Sequence, residues 1–451
     1  MINKIGKFSL EKINQNLILV AILSLLFRVG NFSVFFIPKP FEIFVILICF
    51  LTIVDIVKNK KIKVLLNSIP ENIKAALFCL VISILLGWGI SIFNKIPITF
   101  NMILEFGTFV FSVTIFLLII FYAKKYNKIY LYALLFPVIY VIFVIFPNCL
   151  FTHNFLEANT KFIGLTMNPN IFSKILLIPL IFFISKSVLE EENKWRKLFY
   201  IFLSSGLLAL LLWTASRGAI LSFIFGVISL GIILFYKNFN FKKIFNFILL
   251  IIIIITFGLI LVPENGKVMI MSRIFSTFSQ KQMIYSEVKD ENSFKVIKDL
   301  RKYTTNDFSF QEEFENHNQP KNIFSEKRFE IWLFYLNKIF ISPFGYGPNT
   351  HMESNILLDN GFYENTGPHN SYIQVWLWGG IFGLLSFIYI LIFAIKNLLN
   401  SFKKNINIIN ISLFCTLISL IISIFFDDSF HFYWFWIILA LSLIYKYEPE
   451  N

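Results

Sequence analysis

Long apolar runs separated by short polar segments dominate the pattern of this chain. Each run has roughly 18 or more apolar residues, which is about enough to cross a bilayer as a helix. Backbone amides inside a membrane must bond within their own segment, so these runs are predicted to be helical. The pattern predicts helices near residues 16–36, 40–57, 73–94, 99–122, 129–147, 170–189, 198–214, 217–236, 244–262, 371–395, 406–426 and 432–446.

The composition agrees with this pattern. Of the 451 residues, 57% are hydrophobic and 15% are charged, whereas about a quarter of a soluble domain is charged. We therefore expect an all-α polytopic membrane protein with about twelve transmembrane helices and one large periplasmic loop that contains short helices. It divides into N-terminal transmembrane helices (1–147), central transmembrane helices (148–262), the large loop (263–370) and C-terminal transmembrane helices (371–451).

The net charge of +13 follows the topology and does not indicate a nucleic-acid partner. Lysines and arginines concentrate in alternate connecting segments, as in the run from Lys58 to Lys63. The short connections of the other set contain only Lys39, Lys95, Lys161 and Arg217. This asymmetry predicts that both termini are cytoplasmic and that the large loop lies on the outer side of the membrane.

The second half of the large loop contains one further helical pattern. Ser325 is a suitable cap, and Pro343, Gly345 and Gly347 would end the helix. We expect an amphipathic helix that lies on the membrane surface or against the bundle. The apolar positions with helical spacing are Phe329, Trp332, Leu333, Leu336 and Phe340.

Three predicted helices begin on the outer side with polar sequences, at residues 168–170, 214–218 and 368–371. The start of a helix offers free amide donors and the positive end of its dipole, which favours anions. Arg217 adds a full positive charge at one such start. The positive-inside rule disfavours arginine there, so an anionic ligand and a snorkelling contact with lipid phosphates are both open explanations.

Other charged residues allow both functional and structural interpretations. Arg328 opposes the dipole of the amphipathic helix, so either a bound anion or an ion pair with Glu326 or Glu330 would compensate it. Arg28 and Lys174 fall inside predicted spans, where cations are costly and are candidates for function.

The remaining polar groups are less specific. His369 taken alone is more often a cap or a surface residue than a catalytic group. Asp427 and Asp428 could bind a cation, but are expected to cap the last helix. No Asp-x-Asp sequence indicates a metal-dependent transferase, and no residue spacing predicts a metal site.

Three motifs in order resemble the signature of the O-antigen ligase and polymerase superfamily, over roughly residues 160–395. The third motif, a His-Asn pair followed after nine residues by Gly-x-x-Gly, resembles the motif of the ligases in this superfamily. The motifs are residues 212–219 (LWTASRGA), residues 328–332 (RFEIW) followed by 343–347 (PFGYG), and His369-Asn370 followed by Gly380 and Gly383.

The resemblance implies a metal-independent, inverting glycosyltransferase without a cofactor. It would move a glycan from undecaprenyl diphosphate to an acceptor, such as a lipid A-core sugar, at the periplasmic face. Arg217 and Arg328 would bind the diphosphate, and His369 would act as the catalytic base at the acceptor hydroxyl. The possible supporting residues are Asn370, Asn168, Asn170, Lys174 and Arg28.

Several alternatives remain open. The His-Asn spacing slightly favours a ligase over an O-antigen or polysaccharide polymerase, and a protein O-oligosaccharyltransferase belongs to the same group. A transporter of lipid-linked oligosaccharide is less expected, because such folds usually show internal repeats and bind near the middle of the membrane. A receptor role is less expected still.

Overall fold

A computed structural model describes most of the chain. The described residues are 10–24, 40–59, 67–94, 100–122, 131–132, 134–139, 141, 157–158, 161–162, 168–190, 193–237, 241–263, 266–268, 270–271, 326–348, 356–357, 363–364, 367–404 and 407–444.

These residues are almost entirely helical. The first helices are α1 (Leu10–Ser24), α2 (Pro40–Asn59), α3 (Glu71–Phe93), α4 (Phe100–Tyr122), α5 (Pro169–Leu189) and α6 (Lys194–Trp213). They are followed by α7 (Arg217–Lys237), α8 (Phe241–Leu261), α9 (Glu326–Ile341), α10 (Ser371–Lys404), α11 (Ile408–Ser423) and α12 (Tyr433–Ile444). Short 3₁₀ helices span Phe136–Val138 and Ile424–Phe426. Two antiparallel pairs of two-residue strands join β1 (Glu157–Ala158) to β2 (Lys161–Phe162) and β3 (Ile356–Leu357) to β4 (Tyr363–Glu364).

Eight of the described helices are long and apolar enough to cross a membrane, so the chain is a multi-pass membrane protein. They are α3, α4, α5, α6, α7, α8, α10 and α11. The predicted amphipathic helix is confirmed as α9, although its proposed cap, Ser325, lies outside the described residues.

Of the predicted helix over 129–147, the structure describes residues 131–132, 134–139 and 141, which form irregular helical turns instead of one regular α-helix. A 3₁₀ helix occupies Phe136–Val138, and turn residues precede it. Pro137 contributes to this irregularity, because proline has no amide hydrogen to donate to the preceding turn.

An aromatic cluster joins α4, α10 and α12 at the centre of the bundle. The ring of Phe109 lies 6.3 Å from that of Trp378 and 5.9 Å from that of Trp436. Phe430 fills the space between them, with its ring 4.9 Å from Trp378 and 5.6 Å from Phe109. These four residues are fully buried. They fix the N-terminal part of α10 relative to the segment that precedes α12.

Helix α10 is broken at Gly380, where φ is +63° and ψ is −165°. The residues after α9 pack into this break. The amides of Tyr346 and Gly347 donate to the carbonyls of Leu377 and Trp378 at 2.6 and 2.9 Å. In the other direction, the amide of Ile381 donates to the carbonyl of Pro343 at 2.9 Å.

The break removes helical hydrogen bonds, and the 343–347 segment replaces them. Gly380 is required here because a Cβ would collide with the carbonyl oxygen of Pro343. Gly379 and Gly383 bring the same stretch of α10 close to Ser83 of α3. Small residues of this kind let membrane helices approach each other closely. The paired glycines of the third motif therefore have a packing role that the sequence did not predict.

Candidate functional site

The turn between α11 and α12, residues 425–429, is the meeting point of the three sequence motifs. Phe425 contacts α9, since its ring lies 5.3 Å from that of Trp332 in an edge-on arrangement. Phe426 contacts the start of α7, where a Cβ on Gly218 would lie only 2.9 Å from the Cβ of Phe426. We call residues 425–429 the C-terminal turn.

Asp428 joins the C-terminal turn to His369. Its Oδ2 accepts the backbone N–H of His369 at 3.0 Å and lies 3.4 Å from the ring Nδ1. Its Oδ1 accepts the N–H of Asn370 at 2.9 Å. Asn370 in turn caps α10, because its side-chain oxygen accepts the amides of Tyr372 and Ile373 at 2.9 and 3.2 Å.

The expectation that these carboxylates cap the last helix is wrong. The carboxylate of Asp428 accepts amides at the start of α10, and α12 begins only at Tyr433. The physical reason is the direction of the turn, which folds back toward α10. The N–H groups of His369 and Asn370 precede the first turn of α10, where no earlier helical carbonyl exists to accept them.

Asp427 anchors the same turn to α5. Lys174, which is 2% exposed, forms an ion pair with Asp427 and donates to the Ser429 hydroxyl at 2.5 Å. The hydroxyl of Ser371 donates to the carbonyl of Asp427 at 2.6 Å and accepts the amide of Ser429 at 2.8 Å. Burial alone would raise the pKa of Asp427, but Lys174 and Ser429 together hold that pKa below its usual range.

Lys174 therefore has a carboxylate partner, the half-buried side chain of Asp427. The charge of Lys174 is compensated within the protein, so no bound ligand is needed to explain a cation inside a membrane span. These contacts indicate that Lys174 stabilises the C-terminal turn.

Arg217 is the first residue of α7, as predicted, and its side chain is exposed. The turn before it includes Ala215, whose φ is +51°. The Thr214 hydroxyl accepts the amide of Ser216 at 3.3 Å within this turn. Among the described residues, Ala215 and His369 (φ +46°) are the two non-glycine residues with positive φ. Such backbone strain clusters at functional sites, and here it lies beside two of the predicted basic groups.

Helix α9 lies against the same region. Trp332 donates its indole N–H to the carbonyl of Pro368, next to His369, at 2.7 Å. Tyr335 is fully buried, and this burial, together with the charge of Asp428, raises the pKa of its phenol. The buried side of α9 is therefore close to Asp428.

Two other predicted site residues can be placed only in part or not at all. Arg328 belongs to the first turn of α9, one helical turn before Trp332; its side chain lies outside what the structure describes. Arg28 lies outside the described residues.

Asn168 and Asn170 lie at the start of α5. The side-chain oxygen of Asn168 accepts the amides of Asn170 and Ile171 at 2.9 and 3.2 Å, so Asn168 is the N-cap of that helix. The side chain of Asn170 is exposed. Capping explains the conformation of Asn168 without a ligand.

The sequence identified Asp428 and His369 as separate candidates, but it did not predict that they contact each other. The signal was an acidic pair at the end of an apolar run, with no lysine or arginine close in the sequence. The partners lie 59 residues away along the chain for His369 and 253 residues away for Lys174. No local pattern encodes such pairings.

Comparison with known families gives one match. Residues 199–388 match the sequence model of a protein family described as O-antigen ligase. No curated protein sequence matches the chain. The matched region contains the start of α7, all of α9, the 343–347 segment and the broken part of α10. Over residues 199–388, which are less than half of the chain, the protein is therefore similar to the O-antigen ligase family.

Proposed function

We propose that this protein is a ligase that transfers a glycan from undecaprenyl diphosphate to a lipid A-core sugar. The observation that carries the proposal is the contact of Asp428 with both the backbone and the ring of His369. This contact lies in the turn that also touches the start of α7 and the side of α9. The match to the O-antigen ligase family over residues 199–388 supports a glycan transferase, and the site suggests how the chemistry proceeds.

The leaving group is a lipid diphosphate, on which negative charge grows as the glycosidic bond breaks. Arg217 and Arg328 bind its oxygens, because the planar guanidinium group fits phosphate well. The amides at the start of α7 add donors and the positive end of the helix dipole. Stabilisation of developing charge is usually the largest catalytic contribution, and here it requires no metal or other cofactor.

The acceptor hydroxyl is a weak nucleophile and gains from a positioned base. With Nδ1–H directed at Asp428, the Nε2 atom of His369 takes the hydroxyl proton. The hydroxyl oxygen then bonds to the anomeric carbon, while the bond from that carbon to the diphosphate breaks and its electron pair leaves with the phosphate. General base catalysis of this kind contributes roughly 10²–10⁴-fold. Attack from the face opposite the diphosphate inverts the anomeric centre.

The reaction takes place at the periplasmic face of a bacterial inner membrane, with both termini in the cytoplasm. Helix starts and ends from α5, α7, α10 and α11 meet at one end of the bundle, which supports a site at one membrane face. The distribution of basic residues assigns that end to the outside.

A deletion strain tests the identity of the reaction. Mass analysis of its surface glycolipids is expected to show a lipid A-core without attached glycan, together with long glycan still attached to the carrier. Single repeat units on the carrier would instead identify a polymerase. Loss of glycan from proteins, with intact lipopolysaccharide, would identify a protein O-oligosaccharyltransferase.

Purified protein in detergent separates an enzyme from a transporter. We expect it to move glycan from the carrier lipid to an added acceptor, because chemistry needs no second compartment. Absence of transfer with wild-type protein, combined with movement of the intact carrier lipid across vesicle membranes, would contradict the proposal.

A further inference from the structure

Helix α9 has two apolar rows on different sides. Ile331, Tyr335 and Ile339 are buried against the bundle. A second row, which we call the outer apolar face, is exposed and consists of Phe329 (61% exposed), Leu333 (45%) and Phe340 (73%). Lys338 lies away from this face and is half-buried, with its ammonium group 5.5 Å from the centre of the Tyr346 ring.

A helix at the border of protein and water needs only one apolar stripe, directed at the protein. The outer apolar face is a second stripe, with three large side chains at helical spacing. Large contiguous apolar surfaces of this kind mark contact with another apolar phase or partner. A partner other than the bundle is therefore required.

The position of the outer apolar face indicates which partner this is. The chain continues from Phe340 to Phe344, whose ring stacks on that of Phe382 at 6.3 Å with an interplanar angle of 22°. Phe382 begins an exposed apolar row along α10, which is one of the membrane-crossing helices. This row is Phe382, Leu385, Tyr389 and Ile392.

The exposed row of α10 is part of the surface that a membrane-crossing helix presents to lipid. The outer apolar face reaches α10 through Phe340, whose ring lies 6.3 Å from that of Trp376, and the residues that follow it in the chain place Phe344 on Phe382. We infer that α9 lies in the membrane interface, with the outer apolar face among lipid acyl chains and Lys338 on the other side of the helix, against the protein. The bilayer is then a structural partner of α9, whichever reaction the protein performs. The first turn of α9, with Arg328, lies at the depth of lipid phosphates.

Site-directed spin labelling of the full chain tests this inference. The four native cysteines are replaced by serine, and a nitroxide is attached in turn to Phe329→Cys, Leu333→Cys and Phe340→Cys. The control is Lys338→Cys, which lies five residues after Leu333 and hence about 140° around the helix. Each protein is reconstituted in vesicles of phosphatidylethanolamine and phosphatidylglycerol. Relaxation of the label is measured with oxygen, which concentrates in lipid, and with a water-soluble nickel chelate.

We expect a several-fold higher ratio of oxygen to nickel accessibility at the three outer positions than at Lys338→Cys. A preference for nickel at all three outer positions would place the face in water and overturn the inference. Protection from both reagents would show that protein covers the face, and dipolar broadening between labels would identify a second copy of the chain. Three separate positions keep the test decisive if one variant does not fold.

Discussion

The Asp428 carboxylate holds His369 by its backbone and by its ring. Oδ2 accepts the His369 amide at 3.0 Å and lies 3.4 Å from Nδ1. The φ of +46° at His369 is a strained conformation that costs about 1–3 kcal/mol. Hydrogen bonds to a charged group contribute about 1.5–3 kcal/mol each, enough to maintain it. One side chain therefore determines both the position of the residue and the orientation of its imidazole.

Replacement of Asp428 by asparagine is expected to reduce transfer. Asp428→Asn keeps one oxygen to accept an amide, but it loses the charge that orients the ring. A misplaced base lowers the rate by roughly 100-fold. The loss should appear in kcat, with the KM for the carrier-linked donor nearly unchanged. Steady-state kinetics of the purified protein measure both constants.

A double variant separates positioning from a general loss of structure. If Asp428 acts through His369, adding Asp428→Asn to His369→Ala should cost little beyond His369→Ala alone. Additive losses in the double variant would contradict this role for Asp428.

Replacement of Arg217 by lysine tests the proposed diphosphate site. Lysine keeps the charge but cannot form two parallel hydrogen bonds with phosphate. Losing one charge-assisted hydrogen bond of about 1.5–3 kcal/mol predicts a decrease in kcat/KM of roughly 10- to 100-fold. Arg196→Lys is the matched control, because Arg196 is also exposed in the first turn of a helix but lies at the opposite end of α6 from residue 214. Equal activities of the two variants would remove Arg217 from the site.

Local features of the fold were predictable from the sequence because hydropathy and helix signals act over short distances. The start of α7 at Arg217 and the extent of α9 both follow from such signals. Residues 134–138 show where hydropathy alone is insufficient, since this apolar run forms a turn and a 3₁₀ helix around Pro137, whereas α5 stays regular around Pro179.

Long-range relationships were not predictable. The spacing of Gly380 was interpreted as part of a ligase signature, whereas in the structure Gly380 breaks α10 so that residues 343–347 can bind there. Likewise, nothing near Asp428 in the sequence indicates His369 as its partner. Contacts of this kind depend on how the helices assemble, which a single sequence does not encode locally.

Replacement of Gly380 by alanine should destabilise the bundle. The positive φ costs about 1–3 kcal/mol for a residue with a side chain, and a Cβ would also collide with the carbonyl of Pro343. Gly89→Ala is the control, because a Cβ at Gly89 in α3 would meet nothing within 4 Å. Thermal unfolding in detergent micelles should show a lower Tm for Gly380→Ala only. A Tm equal to that of wild type would mean that the break is not needed for stability.

Replacement of Asp427 by asparagine should produce a stability loss that depends on pH. The folded protein holds the pKa of Asp427 below its usual value, so the folded state binds fewer protons than the unfolded chain. The stabilisation is therefore fully present above the unfolded carboxyl pKa of about 3.9 and is lost as the pH falls through the lower, folded value. Asp427→Asn leaves Lys174 buried without its charge partner, which predicts a loss of roughly 3 kcal/mol at neutral pH.

The difference in stability between wild type and Asp427→Asn should consequently shrink in acid, below about pH 3.9. Thermal unfolding in micelles across a pH series measures it. Glu71→Gln is a suitable control, since it removes an ion pair with Lys74 in which the Glu71 side chain is 83% exposed. Solvent screens such a pair, so little or no change is expected at any pH. A difference for Asp427→Asn that stayed constant down to the lowest pH would show that the carboxylate charge does not hold the C-terminal turn.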